Sequence, residues 1–265
     1  MRKIEKVKII LVFLHERYKE RHGTQSPFRV LVSTVLSQRT RDEITDIATE
    51  RLFSLYDTPQ KLVDASLWKI EDRIKPVGFY HTKAKRLKEI SLILIQRYNG
   101  NVPGDIDELL SLPGVGRKTA NCVLVYGFGI PALAVDTHVH RISNRVGLVD
   151  TRNPHDTEVE LSKIVPIREF GFLNTSMVRF GKEICKPLYP LCKTCGIKNI
   201  CDRENRQSGR RCSQMNKEIG LMRCCVNGLS GHRLVHRIRM GMRVTSRWRP
   251  SCVNHDSNYN LQSAI

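Results

Sequence analysis

The sequence predicts an all-α fold. Three observations point there. Apolar residues recur at three- and four-residue spacing along most of residues 7–165. The residues between those runs are helix starts and stops. No period-two alternation is sustained enough to make a convincing strand.

The elements follow in order. Val7 to Tyr18 is the first amphipathic run. Its apolar stretch Ile9 to Leu14 follows Lys3, Lys6 and Lys8, faintly like a signal peptide. The stretch is too short, and His15-Glu16-Arg17 stands where small cleavage-site residues belong, so it reads as the buried stripe of a helix. Phe28 to Leu36 and Ile44 to Leu55 continue the helical period. Asp57-Thr58-Pro59 marks a stop and a start. Lys83 to Tyr98 is a long helix, ended by Asn99-Gly100 and Pro103-Gly104. Asp105 to Leu110 and Arg117 to Tyr126 flank a tight turn. Thr137 to Val146 follows, and Asn153-Pro154 punctuates before Thr157 to Val165. No internal repeat is visible.

Composition narrows the partner. With 265 residues and 40% hydrophobic content, the chain can form one large or two modest globular cores. Its net charge of +18 favours a polyanion, and nucleic acid above all. Residues 205–265 hold 11 Lys and Arg against 2 Asp and Glu, half of that excess. They are rich in Arg, Ser and Asn and read as a basic, disordered tail or an auxiliary nucleic-acid arm. No segment is long and apolar enough to span a bilayer. Nine cysteines without a secretory signal suggest metal or thiol chemistry in a reducing compartment.

The most informative stretch is Leu112-Pro-Gly-Val-Gly-Arg-Lys-Thr-Ala-Asn121. Pro113 suits a tight turn, and Gly114 and Gly116 permit backbone angles closed to other residues. With no Cβ at either glycine, backbone N–H groups around Val115 can approach a ligand. The helix starting at Arg117 adds a partial positive charge there, suited to a phosphate oxygen. Helix, turn and helix together read as a helix-hairpin-helix element, which positions a nucleic-acid backbone without reading bases. A nucleotide-binding P-loop is excluded, because Arg117 replaces the glycine before the lysine and the four-residue spacer is missing.

Lys118 has a bland reading as a solvated charge or a phosphate contact. Its place at a helix start, with any burial, works against its ammonium form. Bringing a lysine about three units toward neutrality needs roughly 4 kcal/mol, more than one helix end provides. Neighbouring cations and desolvation must add to it. Asp136, in Val135-Asp-Thr-His-Val-His-Arg141, is a favoured N-cap residue. Capping keeps a carboxylate rigid and ionised, so it can also stabilise a developing cationic sugar or help activate the lysine.

Cys185, Cys192, Cys195 and Cys201 place four thiols in 17 residues, spaced 6-2-5. Four thiolates can hold a 4Fe–4S cluster or a structural zinc, and a single Cys-x2-Cys knuckle favours the former. Lys182, Lys186, Lys193, Lys198 and Arg203 make the surroundings basic, as a phosphate-contacting loop would be.

These three elements together resemble the endonuclease III family of DNA base-excision glycosylases, over about residues 5–204. The resemblance implies two helical domains with DNA in the cleft between them. One, a six-helix domain, spans residues 20–131 and carries the hairpin. The other joins residues 1–19 to 132–204 and carries a C-terminal 4Fe–4S cluster loop. Lys118 would attack C1′ of a flipped nucleotide, Asp136 would be the essential carboxylate, and β-elimination would cut 3′ to the lesion. Leu112, Gly114, Val115 and Gly116 would contact DNA. Gln38 or Arg39, in Leu36-Ser-Gln-Arg-Thr-Arg-Asp42, would fill the gap left by the flipped base. Phe79, in Gly78-Phe-Tyr-His81, would wedge the duplex, and an ordinary core phenylalanine is the competing reading.

The implied enzyme removes oxidised pyrimidines and cleaves abasic sites in double-stranded DNA. It would act as a monomer, in bacterial cytoplasm or a eukaryotic nucleus. The alternatives are a thymine or uracil mismatch glycosylase and a noncatalytic helix-hairpin-helix DNA-binding protein.

Overall fold

A computed structural model describes residues 1–19 and 24–203 of the chain. The basic stretch 205–265 singled out in the sequence lies outside the described residues. All described residues belong to one compact unit. Among them are eleven α-helices and no strand.

The helices are α1 (Lys3–Arg17), α2 (Pro27–Ser37), α3 (Asp42–Phe53), α4 (Pro59–Asp64), α5 (Leu67–Ile74), α6 (Tyr80–Tyr98), α7 (Ile106–Ser111), α8 (Arg117–Cys122), α9 (Thr137–Val146), α10 (Pro154–Ser162) and α11 (Phe170–Glu183). The eight helical runs read from the sequence correspond to α1–α3 and α6–α10. Three helices are additional. The short α4 begins at Pro59, with Thr58 capping Lys61 N–H, α5 follows it, and α11 is the long one. The run Arg117 to Tyr126 is not α-helical throughout. It changes at Val123–Gly127 into a π-helical turn, a local insertion often found at functional sites.

Two apolar cores organise the unit. The first is built around α2, whose Leu31, Val32, Val35 and Leu36 are fully buried. A helix apolar nearly all round belongs at a core centre, and α2 packs against α3, α6, α8 and the π turn. The second core gathers α1, α9 and α11 through Ile10, Leu14, Val139, Ile142, Met177 and Phe180. The Ile9 to Leu14 stretch divides as an amphipathic helix should. Ile10, Leu11 and Leu14 are buried, whereas Ile9 and Val12 face solvent. Buried Lys6 ties α1 to the end of α9 and to Asp202, donating from Nζ to Val146 O at 2.8 Å and pairing with Asp202.

The cores meet around one region. Arg117 of α8 donates from Nε to Glu158 of α10 at 3.0 Å, and Lys182 of α11 pairs with Asp42 of α3. No helix among the described residues is long and apolar enough to cross a membrane.

Candidate active site

The hairpin forms as its sequence requires at one glycine and for a different reason at the other. Gly114 has φ +71°, and a Cβ there would collide with the Arg86 side chain. Gly116 has φ −96° and ψ 174°, extended backbone open to any residue, and nothing lies within 4 Å of its ideal Cβ position. The expectation that both glycines are needed for backbone angles is therefore corrected for Gly116. What that glycine provides is clearance beside the start of α8. Leu112 and Val115 turn their side chains into the first core, at 2% and 6% exposure. Only their backbone can face a ligand.

Lys118 lies in the first turn of α8 and Asp136 caps α9. Asp136 Oδ1 accepts from His138 N at 2.9 Å and Val139 N at 2.8 Å, so the carboxylate is held by the helix it starts. Both residues line one pocket of about 450 Å³, together with Gln38, Arg39, Ser37 and Glu158. That volume lies within the range of about 300–1,000 Å³ usual for small-molecule sites. No ion pair joins Lys118 to Asp136 among the described residues. The amine and the carboxylate face the same space without consuming each other.

On its other side Lys118 reaches a second pocket with Cys122, Tyr126 and Asn174. Burial pushes the Cys122 thiol up, and the charge and hydrogen bond of Lys118 pull the other way. Burial also raises the Tyr126 phenol far above its ordinary value. That hydroxyl donates to Asn174 Oδ1 at 2.8 Å, while Asn174 Nδ2 donates to Ala134 O at 2.6 Å. A strut thus runs from the end of α8 to the segment leading into Asp136.

Sequence reading did not pick out Cys122, Tyr126 or Asn174. Cys122 was accessible to it, since it follows Lys118 by one helical turn.

Gln38 and Arg39 occupy the loop after α2. Gln38 Nε2 donates to Gly114 O at 3.1 Å, linking this loop to the hairpin. Arg39 has φ +55°, and its guanidinium lies 5.7 Å from the Phe79 ring centroid. Phe79 is 62% exposed, with φ +58° at the N-cap of α6. It is not a core residue, and it stands outside the pocket of Lys118. Lys83, also not anticipated, is buried beneath the loop. Burial, with the Arg86 charge beside it, pushes its ammonium down to about 8.

The four predicted cysteine ligands line one apolar cavity. Among the described residues, no three Cys, His, Asp or Glu donors converge as a single metal ion requires. A zinc ion would need all four sulfurs about 2.3 Å from one point. Thiols distributed around a cavity wall suit a larger group. Arg203 lines the same cavity and its Nη1 is buried without a hydrogen-bond partner. An unmet cationic donor beside four thiols fits an anionic cluster.

Comparison with known proteins shows the family and the fold. Residues 32–167 match the model of the HhH-GPD superfamily base excision DNA repair proteins. An endonuclease III of Thermotoga maritima is 56% identical over 187 residues, covering 71% of this chain and 88% of that protein. A trapped endonuclease III–DNA covalent intermediate aligns with TM-score 0.73 and 35% identity, covering 78% of this chain and all of that one. A thermostable thymine-DNA glycosylase aligns with TM-score 0.68 and 26% identity, covering 77% of this chain and 97% of that one.

Proposed function

The chain belongs to the HhH-GPD superfamily and, within it, to the endonuclease III family, and from that premise we propose which residues do its chemistry. It is a base-excision repair DNA glycosylase with AP lyase activity. We assign the nucleophile to Lys118 and the essential carboxylate to Asp136. The observation that carries this is their meeting in one pocket, each fixed at a helix start.

The neutral Lys118 amine attacks C1′ of an extruded nucleotide, and the bond from C1′ to the base breaks. The base leaves with a proton, and the amine nitrogen loses its own. The ionised Asp136 stabilises the positive charge that develops on the sugar. Ring opening gives an imine between Nζ and C1′. Loss of a C2′ proton then expels the 3′ phosphate and cuts the strand. Water hydrolyses the imine and frees the lysine. Gly114 and Gly116 bring backbone N–H groups to phosphates. Gln38 or Arg39 fills the vacated space, and Phe79 enters the stack.

The division into residues 20–131 and residues 1–19 with 132–204 assigns one apolar core, among the described residues, to each lobe of the cleft. Members of the endonuclease III family carry a 4Fe–4S cluster. Here Cys185, Cys192, Cys195 and Cys201 would hold it, and it would supply a rigid fold for a basic loop rather than a reaction step. The substrate is double-stranded DNA with oxidised pyrimidines or abasic sites, bound by a monomer. The likeness to a thymine-DNA glycosylase favours a second reading, thymine or uracil opposite guanine.

Borohydride trapping on an abasic duplex tests the chemistry. Wild type should become covalently attached and Lys118→Ala should not; equal trapping would remove Lys118 from the mechanism. A cleavage panel of thymine glycol, dihydrouracil, and uracil or thymine opposite guanine separates the two substrate readings.

A further inference from the structure

Lys83 differs from a surface lysine in every respect that matters. It is 3% exposed. Its Nζ donates to Leu36 O at 2.7 Å, Gln38 O at 2.5 Å and Thr40 Oγ1 at 3.1 Å, using all three of its protons. Leu36 lies in the last turn of α2, where carbonyls lack helical partners and the helix dipole favours a cation. Gln38 and Thr40 flank Arg39, whose left-handed backbone is unfavourable for a non-glycine residue. Such strain persists only where the surroundings hold it.

The same lysine belongs to the first turn of α6, which Phe79 caps. The chain before Phe79 runs close to the loop, and a Cβ on Gly78 would meet Arg39 O at 3.2 Å. One buried side chain therefore joins the loop of Gln38 and Arg39 to the helix end that presents Phe79. Burying an ammonium is costly, and an apolar side chain of equal length would fill the same space without that cost. The charge is explained by the ordering of the loop.

We propose that Lys83 is a positioning residue that holds the Gln38–Arg39 loop and Phe79 as one preformed unit for entry into the duplex. Base extrusion then needs little further ordering of that loop. This rests on the gap-filling and wedge roles assigned above. Lys83 acts on extrusion and not on bond breaking, because its Nζ is committed to the loop and the residue does not line the pocket of Lys118 and Asp136.

The test uses full-length protein and compares two substrates under single turnover. One is a duplex with a thymine glycol, whose base must be extruded. The other is a duplex with an abasic site, which has no base to extrude. Lys83→Met should slow excision about tenfold or more, while borohydride trapping on the abasic duplex stays within about threefold of wild type. In a Gln38→Ala/Arg39→Ala background the added loss from Lys83→Met should nearly vanish, since the loop side chains are already gone. If Lys83→Met does not fold, Thr40→Val removes one acceptor and should give the same pattern at smaller size. Equal loss on both substrates, full additivity with the loop variant, or unchanged excision overturns the proposal. Wild type that fails to trap on the abasic duplex overturns instead the lyase reading on which it rests.

Discussion

The hairpin turn at residues 112–116 and the cysteine loop at residues 185–201 are both short connections flanked by basic residues, yet they are held in opposite ways. Leu109, Leu112 and Val115 root the hairpin in the first core. The loop has no buried residue between Ile184 and Ile197, and Leu188 and Tyr189 are 76% and 90% exposed. Its backbone is held from α9. Arg141 donates to Cys185 O at 2.9 Å, and Arg145 to Lys186 O at 2.6 Å and Pro187 O at 2.7 Å. Apolar burial makes the hairpin self-supporting. The loop depends on arginine-to-carbonyl bonds and would depend further on the cluster proposed for its four thiols.

Removing the cluster proposed for those thiols should separate the two regions most. Chelation under reducing conditions should lower amide-exchange protection across residues 185–203 by about a hundredfold, because a ligand-built loop loses its folding energy with its ligand. Protection across residues 105–122 should change by less than about threefold on the same scale. Equal losses in both regions would show that the cores do not fold independently of the loop.

Gly114→Ala probes the hairpin from within. It meets a left-handed backbone and the Arg86 side chain, and should cost about 1–3 kcal/mol in urea unfolding. Gly116→Ala meets extended backbone and open space. It should change stability by less than about 0.5 kcal/mol. Its affinity for undamaged duplex at fixed salt should nonetheless fall severalfold, since the new methyl stands where a phosphate would approach. A stability loss as large as that of Gly114→Ala would mean the clearance serves folding and not binding.

Lys83 adds a pH dependence. Lys83 binds its proton less tightly in the folded protein, at about 8, than its ordinary value of 10.5. Between those values the unfolded chain holds more protons, so stability contributed by this group rises with pH and is lost as pH falls through about 8. Wild type should therefore gain urea resistance relative to Lys83→Met between pH 7 and pH 10. A constant difference would show that the ammonium is not destabilised by burial.

Legibility in the sequence followed locality. The starts of α8 and α9 were predicted at Arg117 and Thr137, where the structure has them, because a cap is a contact over two or three residues. Helix α11 escaped notice. Gly171, Gly181, Asn174 and Ser176 dilute its apolar pattern, yet Asn174 and Ser176 are buried. Asn174 is polar because it bridges Tyr126 and Ala134, 48 and 40 residues away in sequence. At Gly181 a Cβ would collide with the His138 ring. Neither reason exists until α11 is packed against the π turn and α9. Lys83 was likewise read only as the start of a helical run, since nothing local distinguishes a buried lysine from an exposed one.

From its amino-acid order alone this chain determined its helical class, its hairpin, its capping aspartate and its cysteine spacing. Each of these is set by residues within a few positions of one another, where backbone sterics and near-neighbour hydrogen bonds dominate. Tertiary packing decided that Lys118 and Asp136 share a pocket, that Lys83 clamps the loop of Gln38 and Arg39, and that Gly116 provides room and not a turn. Those outcomes depend on which surfaces the two cores bring together, and such contacts are made between segments tens of residues apart.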